Sequence, residues 1–117
     1  MTTLYGIANC DTVRKTRKWL EQQAVDYRFY DYKKQGCPRE LARKLLKQVG
    51  ADVLINKRGT TWRKLPDSSK SNLTSDNTEA LLSEHPSLIK RPIIEHSGEW
   101  LVGYDEDAMK ELLLGLE

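Results

Sequence analysis

The stretch TLYGIANCDTVRK, residues 3–15, determines how the fold begins. β-Branched and aromatic side chains from Thr3 to Ala8 predict a short strand in the middle of a sheet, and Asn9 ends it. A helix is predicted to follow at once, from Asp11 to about Ala24. Cys10 therefore lies where the first strand turns into the first helix. The apolar or neutral residues on one face of that helix are Val13, Thr16, Leu20 and Ala24.

Two further regions complete the predicted sheet. The alternating residues from Tyr27 to Tyr32 predict a second strand, and a β-α-β start favours a parallel pair with a right-handed crossover. Arg91–His96 and Glu99–Tyr104 predict two more strands, joined in a hairpin by Ser97-Gly98. Asp105 suits the cap of a last helix. The apolar face of that helix contains Ala108, Met109, Leu112, Leu113 and Leu116.

The middle of the chain is predicted to be mainly helical. Pro38 suits the first turn of a helix that runs to Val49, and Gly50 suits its end. Residues 56–77 are polar and irregular, and a short helix is predicted from Thr78 to Glu84. The buried side of the longer helix is predicted to contain Leu41, Ala42, Leu45, Leu46 and Val49.

This order of elements predicts an α/β fold: a thioredoxin-like mixed sheet (β-α-β … β-β-α) with a mainly helical insertion. A length of 117 residues is common for one domain and allows one modest core. We therefore expect a single domain over residues 1–117. Its thioredoxin-like core should contain about residues 1–34 and 89–117, and the insertion about residues 35–88.

Composition narrows the possible classes of function. Apolar residues at 38% and charged residues at 31% are typical of a soluble globular protein. A formal net charge of +2 is too small to predict a nucleic-acid partner. No apolar run approaches the roughly 20 residues that span a bilayer, and Met1-Thr2-Thr3 lacks the basic start of a signal peptide. We expect a cytoplasmic protein with neither a nucleic-acid nor a membrane partner.

The two cysteines, Cys10 and Cys37, are too few for the disulfide framework of a secreted domain. No Cys or His pair has the spacing of zinc ligands, so no metal site is predicted. In a reducing compartment, any disulfide of this chain would be a transient, chemical one. The cysteines are therefore candidates for redox chemistry.

Cys10 is the candidate nucleophile. The unpaired N–H groups and the dipole of a helix N-terminus favour a thiolate there, and Arg14 and Lys15 add positive charge nearby. Such surroundings depress a cysteine pKa from about 8.5 by one to several units. The structural alternative is that Cys10 is simply a small residue buried at a strand end. The polar neighbours Asn9, Asp11 and Thr12 favour the catalytic interpretation.

The usual Cys-x-x-Cys redox pair is missing, because Val13 occupies the position three after Cys10. A disulfide intermediate on Cys10 must then be resolved by an external thiol such as glutathione, or by Cys37. Cys37 precedes Pro38, a setting more typical of a helix start than of a resolving thiol. The external thiol is the favoured prediction.

Two arginines are candidates for binding an anionic substrate, since the planar guanidinium matches carboxylates and oxyanions. They are Arg58, in a basic turn, and Arg91, directly before Pro92 and an apolar strand. For any single arginine, a solvated surface charge is the commoner case. An X-Pro bond in this position can be cis, which exposes the backbone of the preceding residue. His85 and His96 have no partner at catalytic spacing.

Three motifs in order resemble the arsenate reductase-like family that includes the ArsC, Spx and YffB proteins, most of all its YffB branch. They are Asn9-Cys10-Asp11-Thr12-Val13-Arg14-Lys15, Leu54-Ile55-Asn56-Lys57-Arg58-Gly59 and Ile89-Lys90-Arg91-Pro92-Ile93-Ile94. The resemblance spans nearly the whole chain. It implies a thioredoxin-like fold with Cys10 as nucleophile, Arg14, Arg58 and Arg91 near it, and Pro92 as the cis-proline of that fold.

The resemblance also implies an activity: a glutathione-dependent thiol/disulfide oxidoreductase with no bound cofactor and glutathione as co-substrate. Asn9, Asp11 and Thr12 join the arginines and Pro92 as candidate substrate-binding residues. The implied partners are glutathione and a small thiol, disulfide or oxyanion, with a glutaredoxin as a further partner in one alternative.

Two alternatives follow from the same resemblance. The first is arsenate reduction with glutathione and glutaredoxin. Arsenate reductases of the family have another arginine near the second strand of the late hairpin, where this sequence has Gly103. The second is a non-catalytic, Spx-like regulator that binds RNA polymerase. Spx proteins have a Cys-x-x-Cys switch, which Val13 removes here.

Overall fold

The computed structural model describes residues 2–71 and 73–115, apart from the side chains of Ser75 and Asp76. The strands are β1 (Thr2–Gly6), β2 (Tyr27–Asp31), β3 (Ile93–His96) and β4 (Glu99–Val102). The helices are α1 (Asp11–Gln22), α2 (Tyr32–Gln35), α3 (Arg39–Val49), α4 (Ala51–Leu54), α5 (Thr60–Lys64), α6 (Asp67–Ser71), α7 (Ser75–Glu84) and α8 (Glu106–Leu114), with a 3₁₀ turn at Pro86–Leu88.

The chain divides into two compact units. The first contains the described residues up to Tyr32 and from Arg91 onward, and the second runs from Lys33 to Lys90. No helix in the described ranges is long and apolar enough to cross a membrane.

The first unit is built on a four-stranded sheet in the order β2-β1-β3-β4. β1 pairs with β2 in parallel, as expected for a β-α-β crossover, and β3 pairs in an antiparallel manner with both β1 and β4. β1 is thus an interior strand, as predicted. The hairpin between β3 and β4 turns at Ser97 and Gly98, with φ of 50° and 83°, values that suit a tight two-residue turn.

One face of this sheet forms the core of the first unit with α1 and α8. Leu4 and Ile94 of the sheet, Val13 and Leu20 of α1 and Met109 of α8 are each 0% exposed. Burying an aliphatic side chain of this size stabilises a fold by about 1.5–3 kcal/mol. The side chain of Asp105 caps α8 by accepting a hydrogen bond from the Ala108 N–H at 3.1 Å. The core therefore holds both helices against one face of the thioredoxin-like sheet.

The second unit is mainly helical, which confirms the predicted helical insertion. α3 begins after Pro38 and ends at Val49, and its C-cap is Gly50, whose φ of 92° is readily adopted by glycine. Glu79 of α7 is 7% exposed and pairs with two arginines of α3: Arg43 donates hydrogen bonds to both carboxylate oxygens at 3.2 Å, and Arg39 lies at 3.5 Å. These ion pairs join α3 to α7.

Several predicted details differ from the structure. α1 ends at Gln22, and Ala24 is exposed with φ of 55°, because the chain leaves the helix there to turn back into β2. Trp19, not Ala24, lies on the buried face of α1.

In the second unit, α7 begins at Ser75 rather than Thr78, since Thr74 Oγ1 accepts a hydrogen bond from the Asn77 N–H and caps the helix. Leu41, Leu46 and Val49 are only half-buried, and the polar middle stretch contains α5 and α6. Leu116 lies outside the described residues.

Candidate functional site

Cys10 is the N-cap of α1, with an extended backbone at φ −100° and ψ 127°. Its carbonyl accepts the first hydrogen bond of the helix from the Arg14 N–H at 2.9 Å, and its own N–H lies 3.4 Å from the Ile7 carbonyl. Its side chain is half-buried and packs against the core of the first unit. The sulfur is therefore placed at the open N-terminus of a helix, next to its unpaired N–H groups.

A close approach between β1 and α1 fixes the position of Cys10. A Cβ atom on Gly6 would lie 2.7 Å from Val13 Cγ2, a distance too short for a normal contact, so the helix can pack here only against glycine. Val13 is 0% exposed. The residue three positions after Cys10 is thus a packing residue against the end of β1.

The surroundings of Cys10 stabilise its thiolate. Burial by itself would raise the pKa of Cys10, but the backbone N–H of Val13, the guanidinium of Arg91 and the N–H of Thr12 together lower that pKa below its ordinary value. Arg91 acts both as a hydrogen-bond donor and through its positive charge. The predicted direction of the pKa shift is confirmed, and Arg91 is the arginine that contributes to it.

Arg91 lies two residues before β3, with Pro92 between them. The Arg91-Pro92 peptide bond is cis, as the resemblance implied. The Pro92 carbonyl accepts a hydrogen bond from the Gly103 N–H at 2.8 Å, which continues the β3–β4 pairing by one step. Gly103 has φ of 91°, a left-handed conformation that other side chains rarely adopt.

The other predicted site residues of the first unit lie around the start of α1. Asn9, Asp11 and Thr12 are exposed. Arg14 is also exposed, and its guanidinium pairs with the Asp11 carboxylate one turn before it. The structure therefore gives Arg14 a partner other than the Cys10 sulfur, in contrast to the expectation from its spacing. Pro92 is buried.

Arg58 belongs to the second unit. Its N–H donates to Asn56 Oδ1 at 3.1 Å, and its carbonyl accepts a hydrogen bond from Arg63 at 3.2 Å. Its side chain is exposed. Its predicted role in substrate binding stays a prediction.

Cys37 also belongs to the second unit, and its side chain is 3% exposed. Burial raises the pKa of Cys37 to about 11. A thiol of this kind is almost fully protonated near neutral pH and hidden from solvent, both of which disfavour attack on a disulfide.

Tyr104 is a neighbour of the site that the sequence analysis did not single out. It packs against the same core as Cys10, and Lys15 Nζ lies 4.4 Å from the centre of its ring. No local sequence signal marks Tyr104, since it meets Lys15 only through the tertiary fold. Among the described residues, no group of three or more His, Cys, Asp or Glu side chains is arranged to hold a metal ion.

Comparison with known proteins identifies the family. Residues 5–112 match the model of the ArsC family. The solved structure of the YffB protein has a TM-score of 0.90 and 41% identity over 97% of this chain and 99% of its own. An arsenate reductase-related protein from Brucella melitensis has a TM-score of 0.75 and 43% identity, over 98% of this chain and 95% of its own.

A more distant relative, the global transcriptional regulator Spx of Bacillus subtilis, is 30% identical over 97% of this chain and 87% of its own. The chain is therefore more similar to YffB than to this Spx protein, as the sequence motifs indicated. On the match to nearly its whole length, the chain belongs to the ArsC family.

Proposed function

We propose that this protein is a glutathione-dependent thiol/disulfide oxidoreductase with Cys10 as its single nucleophile. The observation that carries the proposal is the placement of Cys10 at the N-terminus of α1, where backbone N–H groups and Arg91 lower its pKa. A lowered pKa raises the fraction of Cys10 that is thiolate near neutral pH, and the thiolate is the reactive form.

The proposed reaction is a double thiol–disulfide exchange. The Cys10 thiolate attacks the glutathionyl sulfur of a mixed disulfide, so that a Cys10–glutathione disulfide forms and the substrate leaves as a thiolate that takes a proton from solvent. A glutathione thiolate then attacks the same glutathionyl sulfur. Glutathione disulfide forms, and the Cys10 thiolate is released unchanged. Each mixed disulfide that is reduced consumes one glutathione, which leaves joined to the substrate's glutathionyl group as glutathione disulfide.

An external thiol is required in this scheme because neither internal candidate fits. Val13 occupies the position of a resolving cysteine and packs against Gly6. Cys37 is buried and its pKa is raised to about 11. Glutathione, the abundant small thiol of reducing cell compartments, can reach an exposed intermediate on Cys10, and we place the reaction in the cytoplasm.

The remaining residues have supporting roles in the proposal. Arg91 stabilises the Cys10 thiolate before the attack, which raises the fraction of reactive thiolate, and again when Cys10 leaves, since that step develops negative charge on its sulfur. The N–H groups of Thr12 and Val13 act in the same way. In this proposal Asn9, Asp11 and Pro92 contact the substrate, and Arg14 pairs with Asp11 so that this carboxylate does not oppose an anionic substrate.

The test is intact-mass analysis after incubation with glutathione disulfide. Wild type and Cys37→Ser should each gain one glutathionyl group, which is then removed by reduced glutathione. Cys10→Ser should gain none. A wild-type protein that stays unmodified, or an adduct that persists in Cys10→Ser, would overturn the proposal.

Arsenate reduction is the second candidate, favoured by the similarity to the arsenate reductase-related protein of Brucella melitensis. It would be established by oxidation of glutathione that depends on arsenate and on Cys10. We rank it below disulfide exchange because the backbone at Gly103 has φ of 91°, which disfavours the arginine expected there for binding an oxyanion.

A further inference from the structure

A cavity of about 420 Å³ lies in the second unit, and the described residues that line it include none of the candidate site residues. It is bounded by α3, by Ala51 at the start of α4, and by α7 with the two residues that precede that helix. Its volume falls within the range of about 300–1,000 Å³ that is usual for small-molecule sites. The cavity is therefore large enough for a ligand of its own.

Part of the cavity is lined by apolar side chains, which we call the apolar wall: Leu46 of α3, Ala51 of α4 and Leu73. None of the three is fully buried, since Leu46 and Leu73 are half-buried and Ala51 is exposed. Water therefore still contacts apolar surface in the cavity. A ligand with an apolar body gains affinity here by removing that surface from water.

Two polar side chains of the cavity are able to bind an anion. Lys47 lines it from α3, is exposed, and forms no ion pair with a carboxylate of the described residues. Thr74 lines it from the start of α7. Its Oγ1 accepts a hydrogen bond from the Asn77 N–H at 3.2 Å, so the hydroxyl hydrogen is able to donate to a ligand.

The one carboxylate among the described lining side chains does not oppose an anion. Glu79 is 7% exposed, accepts two hydrogen bonds from Arg43 at 3.2 Å, and has Arg39 at 3.5 Å. Together with Lys47, three positive charges therefore surround one negative charge. This excess of positive charge favours an anionic ligand over a cationic one.

We propose that this cavity binds a small carboxylate with an apolar body. Lys47 and the Thr74 hydroxyl bind the carboxylate oxygens, and the apolar body lies against the apolar wall. The site belongs to the second unit, and binding there does not depend on the exchange at Cys10.

The experiment titrates the full-length protein at pH 7 with hexanoate, hexan-1-ol and acetate, and follows the amide NMR signals. Wild type should bind hexanoate with saturable shifts at the residues that line the cavity. Acetate lacks the apolar body and should bind at least about tenfold more weakly. Hexan-1-ol lacks the charge and should bind about threefold to fivefold more weakly, as expected for one exposed charge pair.

Two variants separate the parts of the site. Lys47→Gln should weaken hexanoate binding about threefold to fivefold and leave hexan-1-ol binding unchanged, so that the two ligands bind alike. Ala51→Leu places a larger side chain at an exposed position of the apolar wall and should weaken the binding of both ligands at least about tenfold, because it fills the cavity. The amide spectra of the free variants show whether the fold is intact.

The matched controls are Lys44→Gln and Gln48→Leu, since both positions are exposed on α3 and neither lines the cavity. Neither should change any of the affinities. Absence of hexanoate binding, shifts confined to residues elsewhere, equal affinities of wild type for hexanoate and hexan-1-ol, or an unchanged preference in Lys47→Gln would overturn the inference. None of these outcomes bears on the glutathionylation of Cys10, which tests the proposed function separately.

Discussion

The two cysteines of this chain both lie at the start of a helix, and the structure gives them opposite properties. Cys10 is the N-cap of α1, half-buried, with a pKa that is lowered by N–H groups and Arg91. Cys37 directly precedes Pro38, the N-cap of α3, and is buried with a pKa raised to about 11. Proximity to a helix N-terminus therefore does not activate a thiol by itself. The exposure of the sulfur and the hydrogen-bond donors around it decide whether the pKa of the thiol falls or rises.

The largest expected effect is the difference in reactivity between these two thiols. At pH 7, iodoacetamide should alkylate Cys10 at least about 10²-fold faster than Cys37, because the thiolate fraction falls tenfold for each unit of pKa above the pH. Rates are measured by peptide mass spectrometry on Cys10→Ser and Cys37→Ser. In denaturant the two rates should converge. Similar rates in the folded protein would show that the structure does not distinguish the thiols.

A smaller effect is expected from Arg91→Ala. Loss of the guanidinium raises the pKa of Cys10, so the thiolate fraction near pH 7 falls and alkylation should slow about threefold to tenfold. Arg91→Lys, which keeps the charge, should retain part of the rate. Thermal unfolding of both variants checks that the fold is intact. An unchanged rate in Arg91→Ala would assign the activation of Cys10 to the helix N-terminus alone.

The smallest effect is expected from Arg14→Ala, although Arg14 stands only one turn after Cys10. Its guanidinium pairs with Asp11 and its side chain is exposed, so its charge is largely screened from the sulfur. The alkylation rate of Cys10 at pH 7 should change by less than about twofold. A reduction as large as that in Arg91→Ala would contradict the pairing seen in the structure.

Much of the fold could be predicted because its signals are local. The strand before Cys10, the turn at Ser97-Gly98 and the cap at Asp105 each depend on neighbouring residues, and all are present. Ala24 shows the limit of such patterns. Periodicity placed it on the buried face of α1, but the helix ends two residues earlier so that the chain can enter β2.

The site was less predictable than the fold, since it depends on contacts between distant parts of the chain. Spacing along α1 suggested Arg14 as the cation nearest to Cys10, yet the pairing of Arg14 with Asp11 leaves that role to Arg91. Tyr104 meets Lys15 only through the tertiary fold. Spacing also could not show that Gly6 leaves room for Val13, the contact that fixes the approach of α1 to β1.

The central claim is that the fold activates Cys10, and the pH dependence of its alkylation rate tests this most directly. The measurement uses Cys37→Ser, so that only one thiol reacts, and follows the rate across the range from acid to mildly alkaline pH. The account predicts an apparent pKa clearly below the ordinary value of about 8.5, with a reaction still fast at pH 7. An apparent pKa at or above about 8.5 would contradict it and leave Cys10 an ordinary thiol.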